Sequence, residues 1–192
     1  MLGSGCLSPV PSNVPAQAAA AAGETERLYD SETGSLGQIR YRPDDSGEGQ
    51  SWAFLDGARL VRIEVDEDGD DQVDRWEHYG APPVSAEPGD AAAALLAALE
   101  RVDVSTRRDG VVSRKEYYEG GMLVRAEEDT SGDGRIDKWE SYDGGFLEMV
   151  ALDTAGRGRP DRRFVYDGGE VARVEVDPDG SGRFRPLSDG SR

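Results

Sequence analysis

The sequence predicts an all-β protein, an antiparallel meander of hairpin repeats about 24 residues long with one short inserted α-helix. Three observations carry this. Tyr118, Tyr142 and Tyr166 stand at a constant spacing of 24 residues. Each is followed by an acidic residue and a Gly pair, Glu119-Gly-Gly, Asp143-Gly-Gly and Asp167-Gly-Gly, which supplies the φ > 0 positions of a two-residue hairpin turn. Between the turns apolar and polar residues alternate, as in Val61-Arg62-Ile63-Glu64-Val65, the period of a half-buried strand.

Taken in chain order, each unit reads as strand, Asp/Gly-rich loop, strand ending in Tyr, then tight turn. A weaker first unit ends at Leu55-Asp56-Gly57, and the next ends at Tyr79. Tyr79 precedes Tyr118 by 39 residues, so that unit carries a 15-residue insertion, which falls in 81–101. There Asp90 is placed to cap a helix whose apolar stripe is Ala92, Leu95, Leu96 and Leu99. A helix this short is marginal alone and is expected to lie on the sheet. A last half-unit begins at Val171. Residues 7–27 contain Pro, a five-Ala run and no periodicity, and read as a flexible tether. The expected organisation is therefore 1–27 as start and tether, and 28–192 as the repeat domain.

Charge narrows the function classes. With 39 acidic against 22 basic residues the net charge is −17, which repels nucleic acid and anionic membranes and favours cations. The 36% hydrophobic content with 25 Gly suits a loop-rich β architecture of one domain. No apolar run approaches the ~20 residues of a membrane-spanning helix. Leu2-Gly3-Ser4-Gly5-Cys6, followed by the Pro/Ala/Ser tether, resembles the end of a bacterial lipoprotein signal. That resemblance implies lipidation of Cys6, a cell-envelope or extracellular location, and membrane contact only through the anchor. An incidental Cys6 leaves a cytoplasmic chain as the alternative.

Two loops carry the chemistry. In Asp129-Thr-Ser131-Gly-Asp133-Gly134-Arg-Ile136-Asp137-Lys-Trp-Glu140, oxygen-bearing residues occupy positions 1, 3, 5, 9 and 12, with Gly at 6 and an aliphatic residue at 8. Ca²⁺ takes six to eight oxygens, and this spacing delivers them, with a backbone carbonyl at 7 and a two-oxygen carboxylate at 12. Asp66-Glu-Asp68-Gly-Asp70-Asp71-Gln-Val73-Asp74-Arg-Trp-Glu77 repeats the pattern, with Asp71 where Gly is wanted. The expected calcium ligands are thus Asp66, Asp68, Asp70, Asp74 and Glu77, and Asp129, Ser131, Asp133, Asp137 and Glu140. Both loops resemble those of the EF-hand family over about a dozen residues each. Their flanks are too short for the family's helices and alternate like strands, so the loops are expected on β-hairpins.

The remaining loops differ. Loop 177–188 offers Asp177, Asp179 and Ser181 but Ser188 at position 12, and loop 44–55 offers Asp44, Ser46 and Glu48 before a deletion. Loop 105–116 has Arg107 at position 3, and loop 153–164 has Arg157 at 5 and Phe164 at 12, so neither is expected to hold calcium. Acidic and basic loops largely alternate, and Arg107, Arg108, Arg157 and Arg159 are placed to reach the carboxylates of neighbouring loops. His78 and Cys6 are the only residues of their kinds, and no nucleophile elbow, phosphate loop or zinc-spaced cluster is present. The expected function is non-enzymatic calcium binding in a surface-tethered structural or interaction scaffold. The alternative is a metal-independent β-repeat module that presents Trp52, Trp76, Trp139 and the repeat tyrosines to a protein or glycan partner.

Overall fold

Alternating strand patterns and paired glycines produce a sheet in which chain neighbours are sheet neighbours. In the computed structural model, which describes residues 23–43, 49–82 and 91–187, the strand order is that of the chain, β1 through β13. The strands are β1 (Glu24–Tyr29), β2 (Leu36–Arg42), β3 (Gln50–Asp56), β4 (Arg59–Asp66), β5 (Arg75–Tyr79), β6 (Leu99–Val104) and β7 (Arg114–Glu119). They continue as β8 (Met122–Glu128), β9 (Lys138–Asp143), β10 (Phe146–Leu152), β11 (Arg162–Asp167), β12 (Glu170–Val176) and β13 (Arg185–Pro186), and α1 (Ala91–Ala98) precedes β6. The starts of β8, β10 and β12 keep the 24-residue period of the tyrosines. The chain divides into two compact units, one closing at Met122 and the other running on from Leu123.

The turns are as the sequence requires. Gly144 and Gly145 have φ of 55° and 83°, and Gly168 and Gly169 have 58° and 85°. Asp143 pairs with Phe146 and Asp167 with Glu170 across them, so both central residues of each turn are left-handed, the geometry whose twist matches a hairpin.

In the unit of β1 to β7 the core consists of Tyr79, Ala98, Leu99 and Val102, flanked by Leu60, Ile63, Leu95, Val104 and Tyr118. Helix α1 contributes Leu95 and Ala98 to it. The helix therefore lies on the sheet as expected, but its ends and its stripe differ. Leu99 is already the first residue of β6, paired with Tyr79, while Ala92 is exposed and Leu96 is 37% exposed. Cross-strand pairing outcompetes one more helical residue. Leu96 lies against Gly121, where a Cβ would stand 2.9 Å from its Cγ. In the unit of β8 to β13 the buried apolar residues are Ala126, Val150 and Ala151.

Two boundaries are corrected. β1 begins at Glu24, inside the stretch 7–27 read as tether, and all six of its residues are exposed. The final unit is more than a half-unit, because β12 pairs with the two-residue β13. Cys6, Asp90, Asp44, Ser46, Glu48 and Ser188 lie outside the described residues.

Candidate metal centre

Every described Asp/Gly loop is built the same way. Positions 4 and 6 have positive φ throughout: Gly69 and Asp71, Arg108 and Gly110, Gly132 and Gly134, Gly156 and Gly158, Gly180 and Gly182. The first residue then folds its side chain back onto the loop's own amides. Asp66 accepts from the amides of Gly69 (2.7 Å) and Asp71 (3.1 Å). Asp129 accepts from Gly132 (2.6 Å) and Gly134 (2.8 Å). Asp177 accepts from Ser181 (3.1 Å) and Gly182 (2.7 Å). Asp71 adopts the left-handed φ of 68° that the pattern demands of its Gly position, which Asp tolerates better than most side chains.

Three of the loops are joined to the loop before by one backbone bond. The amide at position 1 donates to the carbonyl at position 9 of the preceding loop: Ser105 to Asp74 (2.7 Å), Asp153 to Asp137 (2.9 Å) and Asp177 to Asp161 (2.8 Å).

Against this shared frame the two candidate loops part. In loop 66–77, Asp66, Asp68 and Asp74 each place a carboxylate oxygen within 4.8 Å of the others. Asp66 and Asp74 are 0% and 1% exposed. Asp74 Oδ2 accepts from the Glu67 amide (3.1 Å), but its Oδ1 is buried with no hydrogen-bond partner. Burying a carboxylate oxygen unpaired is costly, and an ion at the cluster would remove that cost. Asp70 is outside the group, and its carboxylate accepts from the amide (2.8 Å) and side chain (2.6 Å) of Gln72.

In loop 129–140 both oxygens of the position-9 Asp are already engaged. Asp137 Oδ1 accepts from the amide (2.9 Å) and hydroxyl (2.7 Å) of Thr130, and Oδ2 from the Ser131 amide (3.0 Å). Asp133 accepts from the Arg135 amide (2.9 Å). Burial works to raise the Asp129 carboxyl, but the amides of Gly134 and Gly132 outweigh it and hold the group below its usual range. Burial also opposes ionisation of Asp137, and the Thr130 amide and hydroxyl outweigh it in the same way. No group of three clustered carboxylates forms in this loop.

The two position-12 carboxylates stand apart from the loops. Glu77 lies on β5, where its oxygens take the Arg75 guanidinium (2.8 Å) and the Tyr79 hydroxyl (2.6 Å), and it is not part of the Asp66 group. Glu140 on β9 takes Lys138 (2.8 Å) and the Tyr142 hydroxyl (2.9 Å). A helical exit would turn position 12 back to the ion, whereas on a strand i, i+2 and i+4 share one face. Glu116 does the same with Arg114 and Tyr118. Expected as ligands, these glutamates instead sit in rows across the sheet between aliphatic neighbours: Ile63, Glu77, Val102, Glu116 in one unit and Ala126, Glu140, Val150 in the other. Burial, then the Glu77 hydrogen bond, pushes the Tyr79 phenol far above its ordinary value.

The basic loops are also resolved by their contacts. Loop 105–116 replaces the Asp at positions 1 and 9 by Ser105 and Ser113, whose hydroxyls take the same roles: Asp109 and Thr106 donate their amides to them, both at 3.0 Å. Arg108 reaches Glu67 (3.8 Å) and Asp68 (4.0 Å), while Arg107 turns to Asp109 of its own loop (3.6 Å). Arg157 donates to the Pro178 carbonyl (3.4 Å) and Arg159 lies beside Gly180, so both lean on loop 177–188. His78 pairs in register with Arg101 and bonds Asp103 (3.0 Å). Trp52 and Trp76 flank Glu64 in one row and, like Trp139, are partly buried.

No protein-family model matches the chain, and no curated protein matches it.

Proposed function

We propose that the protein binds calcium without catalysis, through Asp66, Asp68 and Asp74, and that the ion stiffens a repeat scaffold. The observation that carries this reading is the buried, unpartnered Oδ1 of Asp74 beside two further carboxylates. The donor set is all oxygen, which suits a hard cation, and a loop of turns with irregular geometry suits Ca²⁺ better than the strictly octahedral Mg²⁺. Loop carbonyls and water would complete the shell. Three carboxylates without a bidentate ligand at position 12 fit the weak range of extracellular modules, about 10⁻⁴–10⁻³ M. Lipidation of Cys6 and a cell-envelope location belong to the same proposal and rest on the amino-terminal motif alone.

Calcium titration by calorimetry, with thermal melting in chelator and in calcium, tests it. At a hundredfold excess over Kd the ion should stabilise the fold by about 2.7 kcal/mol. Asp74→Asn should abolish that gain and Asp133→Ala should leave it intact. A melting temperature indifferent to about 10 mM calcium, roughly a hundredfold above the tighter expected Kd, would sink the reading in favour of a metal-independent interaction module.

A further inference from the structure

We infer that Arg108 is a resident counter-cation of the Asp66, Asp68 and Asp74 site, which calcium must displace from Asp68 in order to bind. The inference rests on the calcium reading above and adds a determinant of affinity supplied by the next loop. Arg108 occupies position 4 of loop 105–116 with φ of 54°. The equivalent residues Gly69, Gly132, Gly156 and Gly180 are glycines with φ of 79°, 80°, 64° and 67°. A long side chain there is held in a conformation that L residues adopt only at a cost. From that backbone its guanidinium extends to the neighbouring loop, with Nη2 3.8 Å from Glu67 and Nη1 4.0 Å from Asp68.

The reach is set by the backbone. The Ser105 amide donates to the carbonyl of Asp74 itself (2.7 Å), which docks loop 105–116 on the candidate ligand. Within its own loop Arg108 meets little acid, because Ser105 and Ser113 stand where other loops carry Asp and because Asp109 is engaged by Arg107 and the Ser105 hydroxyl. The guanidinium stays at the rim, since its side chain is 55% exposed and Asp74 Oδ1 keeps no partner. A small bare ion can reach that oxygen where a planar guanidinium does not. The positive charge lowers repulsion among the three carboxylates when calcium is absent, and opposes the incoming ion by the same field.

The test is calcium calorimetry on wild type, Arg108→Asn and Arg108→Lys, at low ionic strength and again in high salt. Asn tolerates left-handed φ and removes the charge, whereas Lys keeps the charge. Arg108→Asn should lower Kd about three- to tenfold at low salt, the field of one charge on a divalent ion several ångström away in water-like surroundings. Arg108→Lys should stay within about twofold of wild type, and high salt should shrink the gap. Binding seen only in Arg108→Asn would support the inference in its strongest form. Equal Kd in Arg108→Asn and wild type overturns it while the calcium reading stands, and so does equal tightening by Asn and Lys, which would point to the guanidinium's shape and contacts instead of charge. If none of the three proteins binds calcium, the reading beneath falls and this inference with it.

Discussion

Loops 66–77 and 129–140 carry the same residue types at positions 1, 5, 9 and 12, yet one leaves an acid oxygen stranded and the other satisfies each oxygen of its position-9 Asp. The difference lies at positions 2 and 3: the Ser131 amide takes the second oxygen of Asp137, and no amide does this for Asp74 Oδ1. Thr130 gives both its amide and its hydroxyl to Asp137, whereas Glu67 has only an amide to give to Asp74. Thr154 donates its hydroxyl to Asp161 (2.7 Å), and the Thr106 hydroxyl meets that of Ser113 (2.6 Å). Thr at position 2 thus adds a hydroxyl to the oxygen its amide already holds, the position-3 amide closes loop 129–140 on the other oxygen, and loop 66–77 has neither. Carboxylates in ligand spacing are therefore not enough to make a cation site. An ion gains most where the protein's own donors have run out.

The largest effect should come from outside the loops. Glu77→Ala removes the partner of Arg75, whose side chain is 12% exposed, and of the buried Tyr79 hydroxyl. Breaking such a pair costs about 3 kcal/mol or more. Glu140→Ala should cost less, about 1–2 kcal/mol, because Lys138 keeps Glu128 at 3.2 Å. Denaturant unfolding compares the two. If position 12 is structural, both variants retain the calcium stoichiometry of wild type, and a variant that loses the ion without losing stability would restore Glu to the ligand set.

Exchanging position 2 probes the comparison directly. Glu67→Thr should add a hydroxyl to the Asp74 oxygen that takes the residue-67 amide, stabilise the calcium-free protein by about 1 kcal/mol and weaken calcium binding. Thr130→Val should do the reverse in its loop, at a cost of about 1 kcal/mol, and should tighten whatever weak calcium step that loop has. Melting curves in chelator and in calcium read both. Unchanged calcium affinity in Glu67→Thr would show that position 2 does not decide.

Acid should act last and least. Asp129 and Asp137 have folded-state pKa values below the ordinary 3.8, so the stability each contributes is complete above that value and is lost as pH falls through the lower folded one. Asp153, held down first by the Arg157 amide, behaves alike. Amide resonances of Gly132 and Gly134 should stay put down to about pH 4 and move only below it. Movement already near pH 5 would mean that the carboxylates are not anchored as described.

Much of the fold could be read from the chain because its signals are local. Tyr118, Tyr142 and Tyr166 with their Gly pairs name the hairpins one by one. The edge strand β1 carries no such signal, because Glu24-Thr25-Glu26-Arg27 is exposed on every residue and has no apolar alternation. Leu99 fitted a helical stripe equally well, and only its pairing with Tyr79 decides for strand. Counting loop positions puts Glu77 and Glu140 beside an ion, whereas their contacts are those of a strand triad that Arg75-x-Glu77-x-Tyr79, Arg114-x-Glu116-x-Tyr118 and Lys138-x-Glu140-x-Tyr142 announce in plain sequence. The unpartnered oxygen of Asp74 was the least accessible, since an inventory of ligands does not include their competitors. The threonines at 106, 130 and 154 mark only the loops whose position-9 side chain receives an extra hydroxyl.

The backbone bond from the first residue of one loop to the ninth of the loop before uses no side chain. It is therefore blind to what the loops are made of, and equally to how many there are. A copied stretch of 24 residues joined in this way would find an acceptor carbonyl behind it and present its own carbonyl to the loop ahead, so the chain can lengthen or shorten by duplication without solving a new packing problem. Each copy is then free to change the donors and acceptors of its own loop, so that, on the calcium reading, the number of cations such a chain carries is a quantity that evolution can adjust one hairpin at a time.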